Sequence, residues 1–310
     1  MNRARADALL LLVAFIWGTA FVAQKDANAH IGPILFVAVR FLVAAAFLLP
    51  LVRWEARRHT TVLSRSDWSG AGWIGLCLCA GCWFQQIGLE TTSATNAGFM
   101  TAVYMVIVPF VAWGFSGLPP RALVLLAGAV ALYGAWLMGG GGAGPGHWSR
   151  GDLIILGGDL VWALHITLVG HSRGMAARPM LLSFVQCAMT GLLSLPVAVL
   201  WQPASLDALR AVWPSIAYAG MVSSVFAFTL QIVAQRHTPP AEAALIMSLE
   251  SVFAALAGAW LLHETLSLRS SIGAGLILLG VVLVETGPAL SGSLIGVRAR
   301  LTSMVLRNRS

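Results

Sequence analysis

Charge is scarce in this chain. Asp, Glu, Lys and Arg together make up 10% of its 310 residues, where a soluble domain carries about a quarter. Long polar stretches are missing too, and no loop between the apolar runs is long enough to hold a domain of its own. These absences exclude a soluble enzyme or a soluble binding module. No nucleic-acid partner is expected, because the net charge of +7 is distributed as a membrane-topology signal. Cysteine is sparse. Cys77, Cys79 and Cys82 sit on different faces of one apolar run and Cys187 stands apart, without His or acidic ligands at a useful spacing. Small apolar packing suits them better than a metal or a disulfide. No nucleophile–base set lies at mid-depth in any apolar run, so neither catalysis nor a cofactor is expected. His263-Glu264 resembles a fragment of a zinc-protease motif, but the second His is missing.

What the chain has is apolar length. Hydrophobic residues reach 58% and mean hydropathy is +0.82. Ten runs approach the roughly 20 residues that cross a bilayer: 7–24, 33–53, 68–90, 94–115, 121–139, 151–170, 181–201, 212–235, 242–262 and 268–287. The runs are continuous and do not alternate, so they predict helices and not a barrel. The first run looks like a signal peptide, with two Arg ahead of it and Ala27-Asn28-Ala29 as a mock cleavage site. Its counterpart 151–170 lies mid-chain, so both are read as membrane helices.

The chain repeats itself. Arg5, Asp7 and Trp17 return 145 positions later as Arg150, Asp152 and Trp162. At the same offset Trp68, Trp73, Gly75, Trp83 and Gln86 become Trp213, Tyr218, Gly220, Phe228 and Gln231. Pro33, Pro50, Thr92 and Ala97 return 146 positions later as Pro179, Pro196, Thr238 and Ala243. Each copy holds an odd number of spans, so the copies face opposite ways, as in carriers. The reading is an all-α membrane protein of ten helices in a 5+5 inverted repeat with a central cavity. Residues 1–139 form the first unit, 140–150 a Gly-rich periplasmic linker, 151–287 the second unit, and 288–310 a basic cytoplasmic tail suited to an anionic leaflet. Asp7 and Asp152 suit helix starts.

Arginine placement orients the bundle. With the N-terminus in the cytoplasm, the inner side holds Arg3, Arg5, Arg53, Arg57, Arg58, Arg65, Arg121, Arg173, Arg178, Arg236, Arg298, Arg300, Arg307 and Arg309. The outer side holds only Lys25, Arg150, Arg210 and Arg269, and Arg40 lies within a span. Both termini are expected in the cytoplasm of a bacterial inner membrane.

The stretch from Pro240-Ala-Glu-Ala-Ala-Leu-Ile-Met-Ser-Leu-Glu250 through His263-Glu264-Thr-Leu-Ser267 resembles the drug/metabolite transporter superfamily, EamA branch. Phe15-Ile-Trp17-Gly18-Thr-Ala-Phe21 is similar to the family's first span, and Arg40-Phe41 to its second. The likeness extends over residues 7–287. It differs where Ser251 follows Glu250 in place of a frequent Pro, and where Phe115-Ser116-Gly117 replaces the Gly/His-Glu ending. The resemblance implies a ten-helix bundle with two peripheral helices, and export or exchange of small metabolites. Within it, an aromatic amino-acid exporter of the YddG type is the preferred analogue.

Candidate substrate residues follow from depth and pairing. Trp17 and Trp162 are repeat equivalents near the middle of their spans, and Trp83 lies slightly toward the outer side. Indoles beside a cavity stack on aromatic or cationic solutes, with interhelical packing as the alternative. Arg40 needs an acceptor, whether a substrate carboxylate or Asp159 or Glu250; its repeat partner is Gln186. Asp159 and Glu250 have Ala14 and Tyr104 as repeat partners, so the symmetric scaffold does not demand them, and either is a candidate proton site. His165 lies one turn beyond Trp162. Gln86 and Gln231 each follow an aromatic on one face, and Asn96, Met100 and Tyr104 make a further stripe. The expected partners are a small amino acid or drug-like solute and the bilayer, with a homodimer allowed through the surface helices. The rival reading is a proton-coupled exporter of lipophilic cations. The orientation is checked by reporter fusions: alkaline phosphatase inserted at Ala143 should be active and a C-terminal fluorescent protein should fluoresce. The reverse pattern would invert the topology.

Overall fold

A computed structural model describes residues 1–59, 62–138, 148–263, 265, 267–284 and 286. Every regular element among them is helical. The longer helices among the described residues are α1 (Arg3–Asn28), α2 (Pro33–Ala56), α3 (Arg65–Gly88), α4 (Ala94–Ser116), α5 (Ala122–Met138), α6 (Arg150–His171), α7 (Pro179–Trp201), α8 (Trp213–Gln235), α9 (Pro240–Leu261) and α10 (Leu268–Val284). Seven of these, α1, α2, α4 and α6 to α9, are long and apolar enough to cross a membrane on their own composition. Two more, α5 and α10, are apolar but shorter. The chain is therefore a multi-pass membrane protein. Most of the linker, the whole tail 288–310 and Glu264 lie outside the described residues.

The helix ends follow local chemistry. Ser64 and Ser149 close capping boxes with Asp67 and Asp152, and Ser93 caps α4 through the Asn96 amide at 3.0 Å. Asn2, and not Asp7, caps α1. Asn96 is the receiver of a cap, not its source. Pro33, Pro179 and Pro240 occupy first-turn positions, where a missing N–H costs nothing. Gly117, at φ 69°, ends α4 in the left-handed region that a Cβ disfavours.

Three rods are less regular than the apolar runs suggest. The regular α-helix of α4 is interrupted at Val103, and that of α9 at Ser248-Leu249, the equivalent place one repeat later. α8 carries a π segment, Tyr218–Ala227. Such irregularities survive at membrane depth only where other protein groups surround them.

Close helix contacts use small residues, as expected where lipid offers no hydrophobic drive between helices. A Cβ on Gly18 would stand 2.6 Å from the Glu250 carbonyl, which joins α1 to α9, and one on Gly151 would overlap the Gly88 carbonyl, which joins α6 to α3. Gly134 and Gly273 bring α5 and α10 together in the same way.

The most extensive contact pairs α2 with α7, and their ends serve each other. Glu55, near the end of α2, accepts from the amides of Met180 and Leu181 at the start of α7 (3.0 and 3.1 Å). Gln202, after the end of α7, accepts from Ile34 and Leu35 at the start of α2 (2.8 and 3.2 Å). Each side chain satisfies first-turn amides that its own helix cannot reach. Replacing Glu55 by Ala strands two amides near the buried start of α7 and should cost about 1–3 kcal/mol. The check is a thermal unfolding scan in detergent, where Glu55→Gln, which keeps one acceptor, should lose less.

Candidate functional site

A narrow cavity lies among α1, α2, α3, α4, α6, α8 and α9. Its walls include Trp17, Phe21, Gln24, Arg40, Cys82, Gln85, Thr101, Tyr104, Trp162, Ile166, Ser223, Phe228 and Glu250. The space that a water's centre can reach is about 30 Å³, room for roughly two or three waters. An organic solute enters only if the helices move apart.

Aromatic rings form much of the wall. Trp17 meets Phe228 at 5.0 Å, and Phe228 also meets Phe41 at 6.3 Å and His165 at 5.9 Å. Trp162 lies edge-on to His165 at 5.7 Å, and its ring reaches Gly81, where a Cβ would stand only 3.0 Å away. The Trp17 indole donates to the Ser223 carbonyl at 3.3 Å. That carbonyl belongs to the π segment, whose shifted hydrogen-bond register releases backbone groups for such use. The mid-helix placement of Trp17 and Trp162 thus brings both onto one cavity.

Polar atoms converge there without partners. Arg40 Nε, Gln24 Oε1 and Trp162 Nε1 are buried and unbonded, and Tyr104 OH and Glu250 Oε1 are buried with only each other at hand. Buried polar groups are normally satisfied, and each exception asks for a reason. The expected ion pair between Arg40 and Asp159 or Glu250 does not form. The guanidinium is 3% exposed, stands over the rings of Phe41 (4.8 Å) and Phe36 (5.4 Å), and has the Cys82 and Cys187 thiols as electrostatic neighbours. Gly220, opposite, leaves room for the Arg40 carbonyl at 3.0 Å from where a Cβ would be. Glu250 and Tyr104 start the second segments of the interrupted rods α9 and α4, and the two face each other. Asp159 lies behind them, fully buried, with neither carboxyl oxygen bonded and Glu250 close enough to repel it.

Other predicted residues lie off the cavity wall. Trp83 donates to Ser194 Oγ at 2.8 Å between α3 and α7. Gln86 donates to the Gln24 carbonyl and to Asn28 (3.0 and 2.8 Å). Met100 packs with Phe21, Leu89 and Ala254. His165 pairs with Gln186 Oε1 at 2.9 Å, and Gln231 is fully buried with both amide atoms unbonded. Sequence reasoning missed Gln24, Cys82, Gln85 and Ser223. The stripe Trp17–Phe21–Gln24 at i, i+4, i+7 carries the first signal. The stripe Cys82–Gln85 lies one residue before the predicted Trp83–Gln86 face. Gln85 bonds Thr101 at 3.3 Å across to α4.

Arg40 is the sharpest discriminator of role. A structural guanidinium stabilises, whereas an unpaired buried one costs stability. Arg40→Met should therefore raise folding stability by about 1–3 kcal/mol, read as a higher melting temperature. A lower one would make Arg40 a scaffold residue.

The model of the EamA-like transporter family matches residues 4–140 and again residues 149–286. A protein of Archaeoglobus fulgidus described as an uncharacterized transporter is 31% identical, over 92% of this chain and 87% of its own length. The uncharacterized inner membrane transporter YedA of Escherichia coli K12 is 26% identical, over 90% of each chain. A solved crystal structure superposes with a TM-score of 0.69 at 16% identity, over 91% of this chain and 97% of that one. That likeness concerns the fold alone.

Proposed function

The chain belongs to the EamA-like transporter family, and from that premise we propose that it exports small zwitterionic metabolites, foremost aromatic and neutral amino acids, across a bacterial inner membrane. Two five-helix halves of opposite orientation, ten spans in all with both termini cytoplasmic, rock about the central cavity and expose it to each side in turn. The reciprocal contacts of α2 and α7 support this arrangement. So do the two repeat-equivalent pairs on or facing the cavity, Trp17 with Trp162 and Tyr104 with Glu250.

One observation carries the substrate class. The cavity holds a guanidinium and a carboxyl that do not bridge each other, the carboxyl beside only the Tyr104 hydroxyl, with aromatic rings around them. Arg40 takes the solute's carboxylate. Glu250, helped by Tyr104 and Gln24, takes its ammonium group. Trp17, Trp162 and Phe228 hold the side chain, where ring stacking adds about 0.5–1.5 kcal/mol per pair beyond burial. Gln86, Gln186, Gln231, His165, Trp83, Asn96 and Met100 stand behind this wall and become substrate contacts only as the halves separate.

A second reading rests on Asp159 and Glu250. Two neighbouring buried acids with no cation between them are suited to carry a proton, and a lipophilic cation then replaces the amino acid as cargo.

Counterflow in proteoliposomes preloaded with mixed amino acids separates the readings. Labelled Phe and Trp should enter saturably and independently of a pH gradient. Arg40→Met should cut this entry roughly 10- to 100-fold, as the loss of a charge-assisted contact predicts, and Trp17→Ala with Trp162→Ala should abolish it. No entry with well-folded protein removes amino acids. Loss of uphill export with retained exchange in Asp159→Asn or Glu250→Gln favours proton coupling.

A further inference from the structure

Two buried hydrogen bonds join the copies at opposite ends of the bundle. Thr92, just before α4, donates to Asp152 Oδ1 in the first turn of α6 at 2.5 Å. Thr238, just before α9, donates to Asp7 Oδ1 in α1 at 2.7 Å. The four residues are repeat equivalents: Thr92 matches Thr238, and Asp152 matches Asp7. The same bond is made twice, each time from one copy's Thr to the other copy's Asp. One lies at the end where α1 and α9 begin, the other where α4 and α6 begin. All four side chains are buried.

Asp7 does not cap its helix, and Asp152 has an oxygen to spare beyond its capping box. Asn2 caps α1, and Asp7 lies beyond its first turn. Asp152 spends Oδ2 on the Ser149 amide at 2.8 Å and leaves Oδ1 for Thr92. Each bond is reinforced differently. At the α1 end Arg3 reaches both Asp7 (3.2 Å) and Glu242, and Arg121 reaches Glu242 at 3.5 Å. At the α6 end Lys25 holds the Leu89 and Thr92 carbonyls at 2.7 Å each, and the Gly88 and Gly151 backbones touch. Both bonds are formed while the cavity between them is nearly closed.

We propose that Thr92–Asp152 and Thr238–Asp7 are the two latches of the carrier, one per face, and that each is broken in turn as the cavity opens to its side. The inference rests on the carrier reading but not on the nature of the cargo. An access equilibrium shifts only through interactions that differ between its states. A bond made by both copies, once at each end, supplies that difference symmetrically. A charge-assisted hydrogen bond in a dry contact is strong enough to bias such an equilibrium and weak enough to be opened by a bound solute.

Cys82 lines the cavity and is a native reporter of access. In a background with Cys77, Cys79 and Cys187 replaced by Ala, an impermeant maleimide is applied to either face, using cells and inside-out vesicles. The parent should label slowly from both. Thr238→Val should speed labelling about 10-fold from the face carrying the α1 start, and Thr92→Val about 10-fold from the opposite face, a hydrogen bond's worth in each case. Thr238→Ser and Thr92→Ser keep the hydroxyl and should label like the parent, provided all variants elute as single species. Faster labelling from both faces alike marks a loosened fold and overturns the proposal, as does no change in either Val variant or both opening the same face. If labelling follows the pattern while no amino acid moves, the latches stand and the cargo assignment falls.

Discussion

Inside a bilayer a polar group has no water to fall back on. Every buried donor and acceptor must be met by protein, or must stay unmet at a cost of several kcal/mol. This constraint governs the rest of the molecule. It explains why first-turn amides of α2 and α7 are met by Gln202 and Glu55 from the neighbouring helix. It explains why Trp83, Gln86 and Gln85, which read as candidate contacts or near neighbours of them, are tied up with Ser194, Asn28 and Thr101. Not every such atom is met: Arg40 Nε, Gln24 Oε1 and Trp162 Nε1 stay unbonded on the cavity, and Asp159 and Gln231 do so away from it. Sites that must bind something else are where such unmet groups gather.

The scaffold and the site obey different logics. Contacts between the copies recur in matched pairs: Glu55 and Gln202 at the ends of α2 and α7, Thr92–Asp152 and Thr238–Asp7 at the ends of α6 and α1. Around the cavity the match breaks down. Arg40 is answered by Gln186, Asp159 by Ala14 and Glu250 by Tyr104. The π segment of α8 has no counterpart in α3, which runs as a regular α-helix. A duplicated frame has been kept while its centre has diverged, which suits a moving frame built around an asymmetric solute.

The helical, multi-span character of the chain was legible because apolar runs of membrane length leave the backbone one good way to satisfy itself. The interruptions at Val103 and Ser248-Leu249 were not, since they carry no Pro or Gly at the break. The convergence of Trp17, Trp162, Tyr104 and Glu250 was half legible. Depth and pairing singled them out, but which face of each helix looks inward depends on all its neighbours. The shift from Trp83–Gln86 to Cys82–Gln85 is a rotation of about 100° on a helix, too small for an apolar pattern that covers the whole circumference to reveal. Arg40 shows the limit most plainly. Sequence chemistry demands an acceptor for it, with Asp159 and Glu250 at hand, yet all three lie in one region without an ion pair to Arg40.

The sequence by itself determined the class of molecule and the duplication, through composition and residues recurring at a fixed offset, and the family, through the likeness of its motifs. Only the tertiary structure decided which polar side chains meet one another and which face the cavity unmet. That depends on helix rotation and close approach, set by many weak contacts of small residues from distant parts of the chain, and no local stretch of sequence encodes it.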